Sequence, residues 1–581
     1  MKAKNLFFGA LTCLAFAACS NDDEPTVNGG GAQGQNSYMA VNLAMASDMT
    51  RATTDEGFEN GTEEESAVKV ANAKFYFYGA DGAYITTGTV AKGTGQGQDP
   101  TGDDFLTLEN VTDDTPNNVQ KQSNALIVLG PTQTQPKYVI AVLNSTEDLA
   151  NKSMSEVYNL LTSAAITTAK GGFVMTNSTY YDASGEKVYA QEIASDEICE
   201  TVAAAIANPV EIYVERLVSK IKLTNGTGGT LEFPLTSDET KEVLNTGSTT
   251  TPVQMKVIID GWRINALNTS SYFIKNLSQN PNTFKTGYNV PGQFRSFWAE
   301  DKNYSGNSES FDGNTYADLT YYTFAQVTNT TSNYEYCYEN TVSPTNVQAD
   351  GGDRTNTPCM LIAAHTVYST DGGSSYAAVT DLYRYNGQLW TLDTYKNLYL
   401  NALKKKYVWA KDDKSASQSI VDTDLEWNVV KASGVTTAND FKQVMLNITA
   451  ATAPADMFLY EYTVEGELAS ATKIDVGNVV ATINAALSAT DMASKTEGYK
   501  EGKCYYQVPI EHLFSAADNE VYGVVRNHIY NLNLTGVTKL GDAVYFPEET
   551  LEYIPGERKN YYVAAQLKVL TWRVVSQNVE L

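Results

Sequence analysis

The chain is short of positive charge, and shortest of it near its start. It has 41 Lys and Arg against 68 Asp and Glu, for a net charge of −27. Between Lys4 and Arg51 there is no lysine or arginine. So acidic a surface excludes nucleic-acid binding, which needs basic patches to replace the counterions of phosphates. There are only three histidines, His365, His512 and His528, and none falls in H-E-x-x-H or another metal spacing. No G-x-S-x-G nucleophile elbow is present. The glycines from Gly93 to Gly97 follow no clear strand and open no helix, which argues against a phosphate cradle. Asp99 to Asp104 is rich in hard oxygen ligands but lacks EF-hand spacing, and reads as a solvated turn. Asp422 and Asp424 form the kind of carboxylate pair that an acidic chain produces by chance. No catalytic residue, metal site or cofactor is expected, and the chain does not read as an enzyme.

Cysteine is sparse as well. Beyond Cys13 and Cys19 there remain Cys199, Cys337, Cys359 and Cys504, with no C-x-x-C pair and too scattered for a disulfide scaffold. A Cys337–Cys359 bridge stays open as an alternative, and buried free thiols are the plainer expectation. After the leader, no apolar run reaches the roughly 20 residues that a membrane-spanning helix needs.

The leader itself is informative. Lys2 and Lys4 precede an apolar stretch, Leu6 to Ala18, too short to span a bilayer. It ends in Phe16-Ala17-Ala18-Cys19, which looks like the lipobox of a bacterial lipoprotein, with Phe16 where Leu is usual. On that reading residues 1–18 are a signal peptide and Cys19 carries lipid; the alternative is an ordinary signal peptide. The acidic run Asp22-Asp23-Glu24 resembles a surface-export signal, and Pro25 to Ser37 reads as a flexible tether. Next comes the alternating segment Tyr38 to Met45. Met39, Val41, Leu43 and Met45 share one face of a strand, and Tyr38, Ala40, Asn42 and Ala44 the other. Arg51 is the first site after the leader that a trypsin-like protease could cut, leaving Ala52 as the new first residue. That cut would sever this strand from the fold behind it. A β-protein that loses one strand exposes an apolar groove and unpaired edges.

The body of the chain is built for strands and turns, with 37 tyrosines and abundant Thr, Asn, Gly and Val. Strands are expected at Lys69 to Gly82, Tyr138 to Asn144, Val210 to Leu223 (as one strand or two), Gln254 to Trp262, Val521 to Leu534 and Val563 to Val575. Short helices are expected at Ser153 to Leu161, where Ser153 and Glu156 have capping-box spacing, and over Ile474 to Met492. The polar, tyrosine-rich stretch Asp301 to Asn356 reads as long surface loops. The fold class is all-β dominated, with two tandem transthyretin-like, Greek-key β-sandwich domains and a few short helices. The expected divisions are residues 19–51 as a propeptide, 52–222 as the first domain and 223–581 as the second. At the end, Val563, Ala565, Leu567 and Val569 alternate, and Leu570, Trp572 and Val574 then change phase, as across a bulge. This tract, 563–581, is either a strand to be donated to another chain or the last strand of its own domain.

Several segments together resemble the stalk fimbrillins of Bacteroidetes, in particular the major subunits of the short fimbriae. They are Ser37 to Met45 with Thr50-Arg51-Ala52, then Val214 to Ile221 (VERLVSKI), Gly523 to Tyr530 (GVVRNHIY) with Lys539-Leu540-Gly541, and the terminal Leu567 to Val575. Thr571 stands where members often carry Pro. Arg526 and His528, inside the third segment, read as structural, with Arg526 answering carbonyls or a carboxylate.

The resemblance implies a type V pilus. Its subunit is exported as an outer-membrane lipoprotein precursor and cut by an arginine-specific protease after Arg51. It then polymerises head to tail as the C-terminal strand of another copy fills the vacated groove. It implies anchor and tip subunits as further partners, an extracellular mature form in surface fimbriae, and possible host or bacterial surface ligands. Two alternatives remain. A pilus anchor or tip subunit would lack either the cut or the donor strand. A monomeric glycan-binding surface lipoprotein would show tryptophan platforms, but the chain has only six tryptophans.

Overall fold

The computed structural model describes residues 37–46, 70, 72–90, 109–110, 119–130, 134–163, 172–182, 184–225, 231–235, 244–245, 253–277, 299–302, 319–328, 334–341, 358–377, 380–432, 434–435, 442–513, 521–549, 551 and 573–580. It is mostly strand, with short helices, and its sheets pack as β-sandwiches.

The first sheet uses only strands from the first part of the chain. They are β1 (Ser37–Ala46), β2 (Ala73–Tyr78), β3 (Tyr84–Val90), β4 (Val119–Leu129), β5 (Tyr138–Leu143), β6 (Met175–Asn177) and β7 (Val210–Arg216), with short strands at the margins. The order of pairing is β1-β7-β6-β5-β2-β3-β4, and β4 pairs back onto β1. The circuit therefore closes, and β1 is the strand that closes it. Alternate inward residues of these strands, among them Phe75, Phe77, Ile127, Val139 and Ile212, form one buried cluster. The capping box on Ser153 is present: Glu156 accepts from the Ser153 amide at 2.7 Å, and Ser153 Oγ accepts from the Glu156 amide at 3.3 Å.

Val210 to Leu223 is two strands. The chain leaves the first sheet at Arg216, and β8 (Ser219–Asn225) begins another. β8 pairs in parallel with β12 (His528–Gly536), and β12 pairs in parallel with the terminal strand β13 (Arg573–Glu580), which is an edge. A five-stranded sheet built on β9 (Gln254–Asn265), β10 (Cys359–Ser369) and β11 (Lys503–Pro509) faces it. Ile221, Ile529 and Leu532 meet Val257, Ile362 and Tyr506 between the two layers. β9 carries a bulge at Gly261, where a Cβ would stand 2.6 Å from the Val327 carbonyl oxygen.

Val521 to Leu534 is likewise broken. Strand Val521–Val524 ends before Arg526, and Asn527 sits at φ 60, a left-handed position that Asn tolerates. A further core forms around the 15-residue helix α1 (Leu392–Lys406), where Tyr395, Tyr399, Leu400 and Leu403 face Tyr383, Trp409 and Ile448. That helix is absent from the sequence-based expectations, although its buried residues recur at helical spacing and Lys404 to Lys406 complement its C-terminal dipole. The helix expected over Ile474 to Met492 is shorter. α2 (Val479–Ser488) buries Val479, Ile483 and Leu487, while Val476 lies in a preceding 3-10 turn, exposed.

The reading of Asp301 to Asn356 as surface loop fails over 334–341. Tyr334–Cys337 pairs with β8, Cys337 is buried, and Glu339, Asn340 and Thr341 are buried with it. Their polar side chains have internal partners, so hydropathy could not mark them as interior. Cys199, Cys337, Cys359 and Cys504 are free thiols. Burial pushes the Cys359 and Cys504 thiols up to about 12, and Cys337 is raised by the same cause.

Candidate functional site

β1 is held on both sides. It runs antiparallel to β4, from Ser37 opposite Leu129 to Ala46 opposite Val119, and parallel to β7, from Val41 opposite Val210 to Met45 opposite Val214. Met39 and Val41 are fully buried in the core of the first sheet. On the opposite face Ala40 packs on Leu126 and on Ala205 of the short helix Val202–Ala207, with Tyr38, Cys199 and Val202 around it. The expected two-faced strand is thus in place at Met39 and Val41, and the backbone of Leu43 and Met45 continues it along β4 and β7.

Arg51 and Ala52 lie beyond the end of β1, outside the described residues, as does Cys19. β1 is therefore seated by pairing and packing, and its only covalent link to the body of the chain is the stretch that contains Arg51. Once cut there, β1 would be retained by noncovalent contacts alone. Burying Met39 and Val41 is worth about 1.5–3 kcal/mol each. Its departure would also bare backbone groups along β4 and β7, two edges where the closed circuit has none.

What sequence reasoning missed is the covering of this strand. Cys199 exchanges two backbone hydrogen bonds with Tyr38, at 2.7 and 2.8 Å, and Thr201 caps the helix behind it by accepting from the Ala204 amide. The signal was a threonine followed by the short alanine-rich run Val202 to Ala207.

At the far end of β7 the groove strand is tied to the second sheet system. Glu215 and Lys275 form a fully buried ion pair at 2.7 Å, and burial pulls the Lys275 amine below the ordinary lysine value, against the attraction of Glu215 and Glu339. Arg216 donates to Asn527 Oδ1 at 3.0 Å. Arg526 pairs with Glu339 at 2.6 Å and donates to the Tyr272 carbonyl at 2.6 Å and the Phe273 carbonyl at 3.3 Å. His528 Nδ1 stands 2.7 Å from the Arg526 carbonyl oxygen. Both VERLVSKI and VVRNHIY therefore form a buried polar joint, and Arg526 has the structural role its sequence context suggested.

The C-terminal tract is divided. Val563, Ala565, Leu567, Val569, Leu570 and Trp572 lie outside the described residues. Val574 lies in β13, paired with Ile529 of the chain's own sheet. The carboxylates of Asp422 and Asp424 accept from the indole N–H groups of Trp427 and Trp409, at 2.8 and 2.9 Å, a packing role. Among the described residues there is no cluster of side chains fit to hold a metal ion, and no helix long and apolar enough to cross a membrane.

Residues 497–578 match the family described as major fimbrial subunit protein type IV, fimbrillin, C-terminal. No curated protein matches the chain. Similar solved structures include a fimbrial assembly protein from Parabacteroides distasonis, at 14% identity over 59% of this chain and 85% of that one, with a TM-score of 0.24. A putative cell adhesion protein from Bacteroides eggerthii has 12% identity over 60% and 80%, with a TM-score of 0.23. The tip fimbrial protein Mfa3 from Porphyromonas gingivalis has 10% identity over 58% and 84%, with a TM-score of 0.24. Overlaps this slight carry no weight, and the likeness to fimbrillins rests on the match over residues 497–578.

Proposed function

We propose, from the premise that residues 497–578 make this chain a relative of the fimbrillins, that it is the stalk subunit of a type V pilus and polymerises by strand exchange. The precursor is exported as a lipoprotein on Cys19 to the outer surface. An arginine-specific protease cuts between Arg51 and Ala52, and β1 leaves with the lipid anchor. The C-terminal strand of another copy, Val563 to Val574 at its centre, then fills the space between β4 and β7.

The observation that carries this reading is the seat of β1. It is a fully paired, core-filling strand joined to the rest of the chain only through the segment that holds Arg51. At the other end, β13 is an edge strand with a single ladder to give up. Insertion of one end into the other end of the next copy is heterologous, so it builds open filaments. A chain with both the cut and the terminal strand suits a stalk better than an anchor, which keeps its leader, or a tip, which lacks a donor.

The test is direct. Precursor treated with an arginine-specific protease gives a product that starts at Ala52 and runs as SDS-resistant ladders. A chain ending at Tyr562 is cut and forms none. Filaments that grow normally from an Arg51→Gln precursor with its leader still attached would end the proposal.

A further inference from the structure

The groove has a roof as well as two walls, and the roof sets a pattern. On the core face, positions 39 and 41 are fully buried and must be apolar. Position 40 is closed over by Ala205, at 0% exposure, and Leu126, and admits only a small side chain. Position 38 lies against Cys199, with which it exchanges both backbone hydrogen bonds.

The chain contains a second copy of this pattern. Tyr562-Val563-Ala564-Ala565-Gln566-Leu567-Lys568-Val569 follows Tyr38-Met39-Ala40-Val41-Asn42-Leu43-Ala44-Met45 position by position. Tyrosine, alanine and leucine recur at the first, third and sixth places, and a side-chain amide at the fifth. The second, fourth and eighth are apolar in both, and Lys568 alone departs. Sliding the tail by one residue in one direction puts Gln566 on the core face at position 41. In the other direction it puts Val563 under Ala205. Reversing it about Ala564 puts Gln566 against Cys199 and loses the match of both Tyr562 and Leu567.

Resting on the strand exchange proposed for this chain, we infer that the tail of a second copy enters in the polarity and register of β1. It lies parallel to β7 and antiparallel to β4, with Tyr562 in the place of Tyr38 and Ala564 beneath Ala205. The leader strand and the tail are then two occupants written to one template, and Ala205 gauges which strands are accepted.

Cys199 makes this measurable. Residues that exchange both hydrogen bonds across an antiparallel pair have Cα atoms about 5.5 Å apart, within reach of a disulfide. Single cysteines are placed at 561 to 567 in the full-length precursor. Each variant is cut with the arginine-specific protease, allowed to assemble, oxidised with copper phenanthroline and run without reductant. Tyr562→Cys should give the strongest linkage between subunits, lost when Cys199→Ser is added. Ala564→Trp should abolish ladders while cutting at Arg51 proceeds as before, and Ala564→Ser should keep them. Linkage strongest at Gln566→Cys, or ladders from Ala564→Trp equal to those of the parent, overturns the register while strand exchange stands. A parent chain that is cut and forms no ladder overturns the exchange and this inference together.

Discussion

Arg526 is an ionised side chain with no exposed surface, and it is held by an equally buried carboxylate, Glu339, and by two backbone carbonyls. Such a pair adds little net stability as a unit, since each charge gave up its water, but removing one partner strands the other. Arg526→Met should cost about 3–5 kcal/mol, read as a drop in the urea midpoint of the uncut precursor with the slope unchanged. The double variant Arg526→Met/Glu339→Leu should recover much of that loss. Equal midpoints for the single variant and the parent would remove the buried-charge account. Asp422 and Asp424 make the complementary point: the pair reads in the sequence as a chance product of an acidic chain, and in the fold each carboxylate accepts a hydrogen bond from a tryptophan indole.

At the scale of elements, β1 has a ladder on each side, as its neighbours do, but it joins the body of the chain through one severable link. Its removal acts first on β4 and β7, whose backbone amides lose partners across Ser37–Ala46. Hydrogen exchange followed by mass spectrometry should therefore show faster labelling over 119–129 and 210–216 after cutting at Arg51. Protection should return when the cut chains are allowed to assemble. If labelling there is unchanged while β1 is gone, those strands do not depend on it. β13 behaves in the opposite sense, because it has one neighbour and closes no circuit. The local signals that made elements legible were alternation in β1, the Ser153–Glu156 capping box, and the 3.6-residue spacing of Val479, Ile483 and Leu487. The helix α1 shows where that reading fell short: its inward side mixes Thr394, Tyr395 and Tyr399 with Leu400 and Leu403, so hydropathy alone does not mark it as a core stripe.

Over the molecule, among the described residues, tyrosine supplies most of the largest fully buried side chains: Tyr76, Tyr78, Tyr383, Tyr395, Tyr399, Tyr407 and Tyr499. Desolvation raises Tyr76, Tyr158, Tyr180 and Tyr336 from 10.0 to about 12, and Tyr383, Tyr395 and Tyr530 are raised as well. A raised value in the folded state means that these hydroxyls favour folding fully below pH 10.0, where the unfolded chain is also neutral. That contribution is lost as the pH climbs toward about 12. The protein should thus lose stability steeply between these limits. Titration at 295 nm should show a group of tyrosines that ionise only as the circular dichroism of the fold collapses. Tyrosines that all titrate near pH 10 in the folded protein would contradict this packing.

The sequence by itself determined the β-rich class, the acidic composition, the absence of a recognisable catalytic or metal motif, and the alternating strand β1. These depend on local periodicity and residue chemistry, which a linear reading sees. Only the tertiary structure decided that β1 lies between β4 and β7 under a roof formed by Cys199 and Ala205, that the chain changes sheets at Leu217-Val218, and that Glu215, Lys275, Glu339 and Arg526 pair off in the interior. Those are contacts between residues distant along the chain. A strand's pattern states which face must be buried, but its partners are chosen by the closure of the whole sheet.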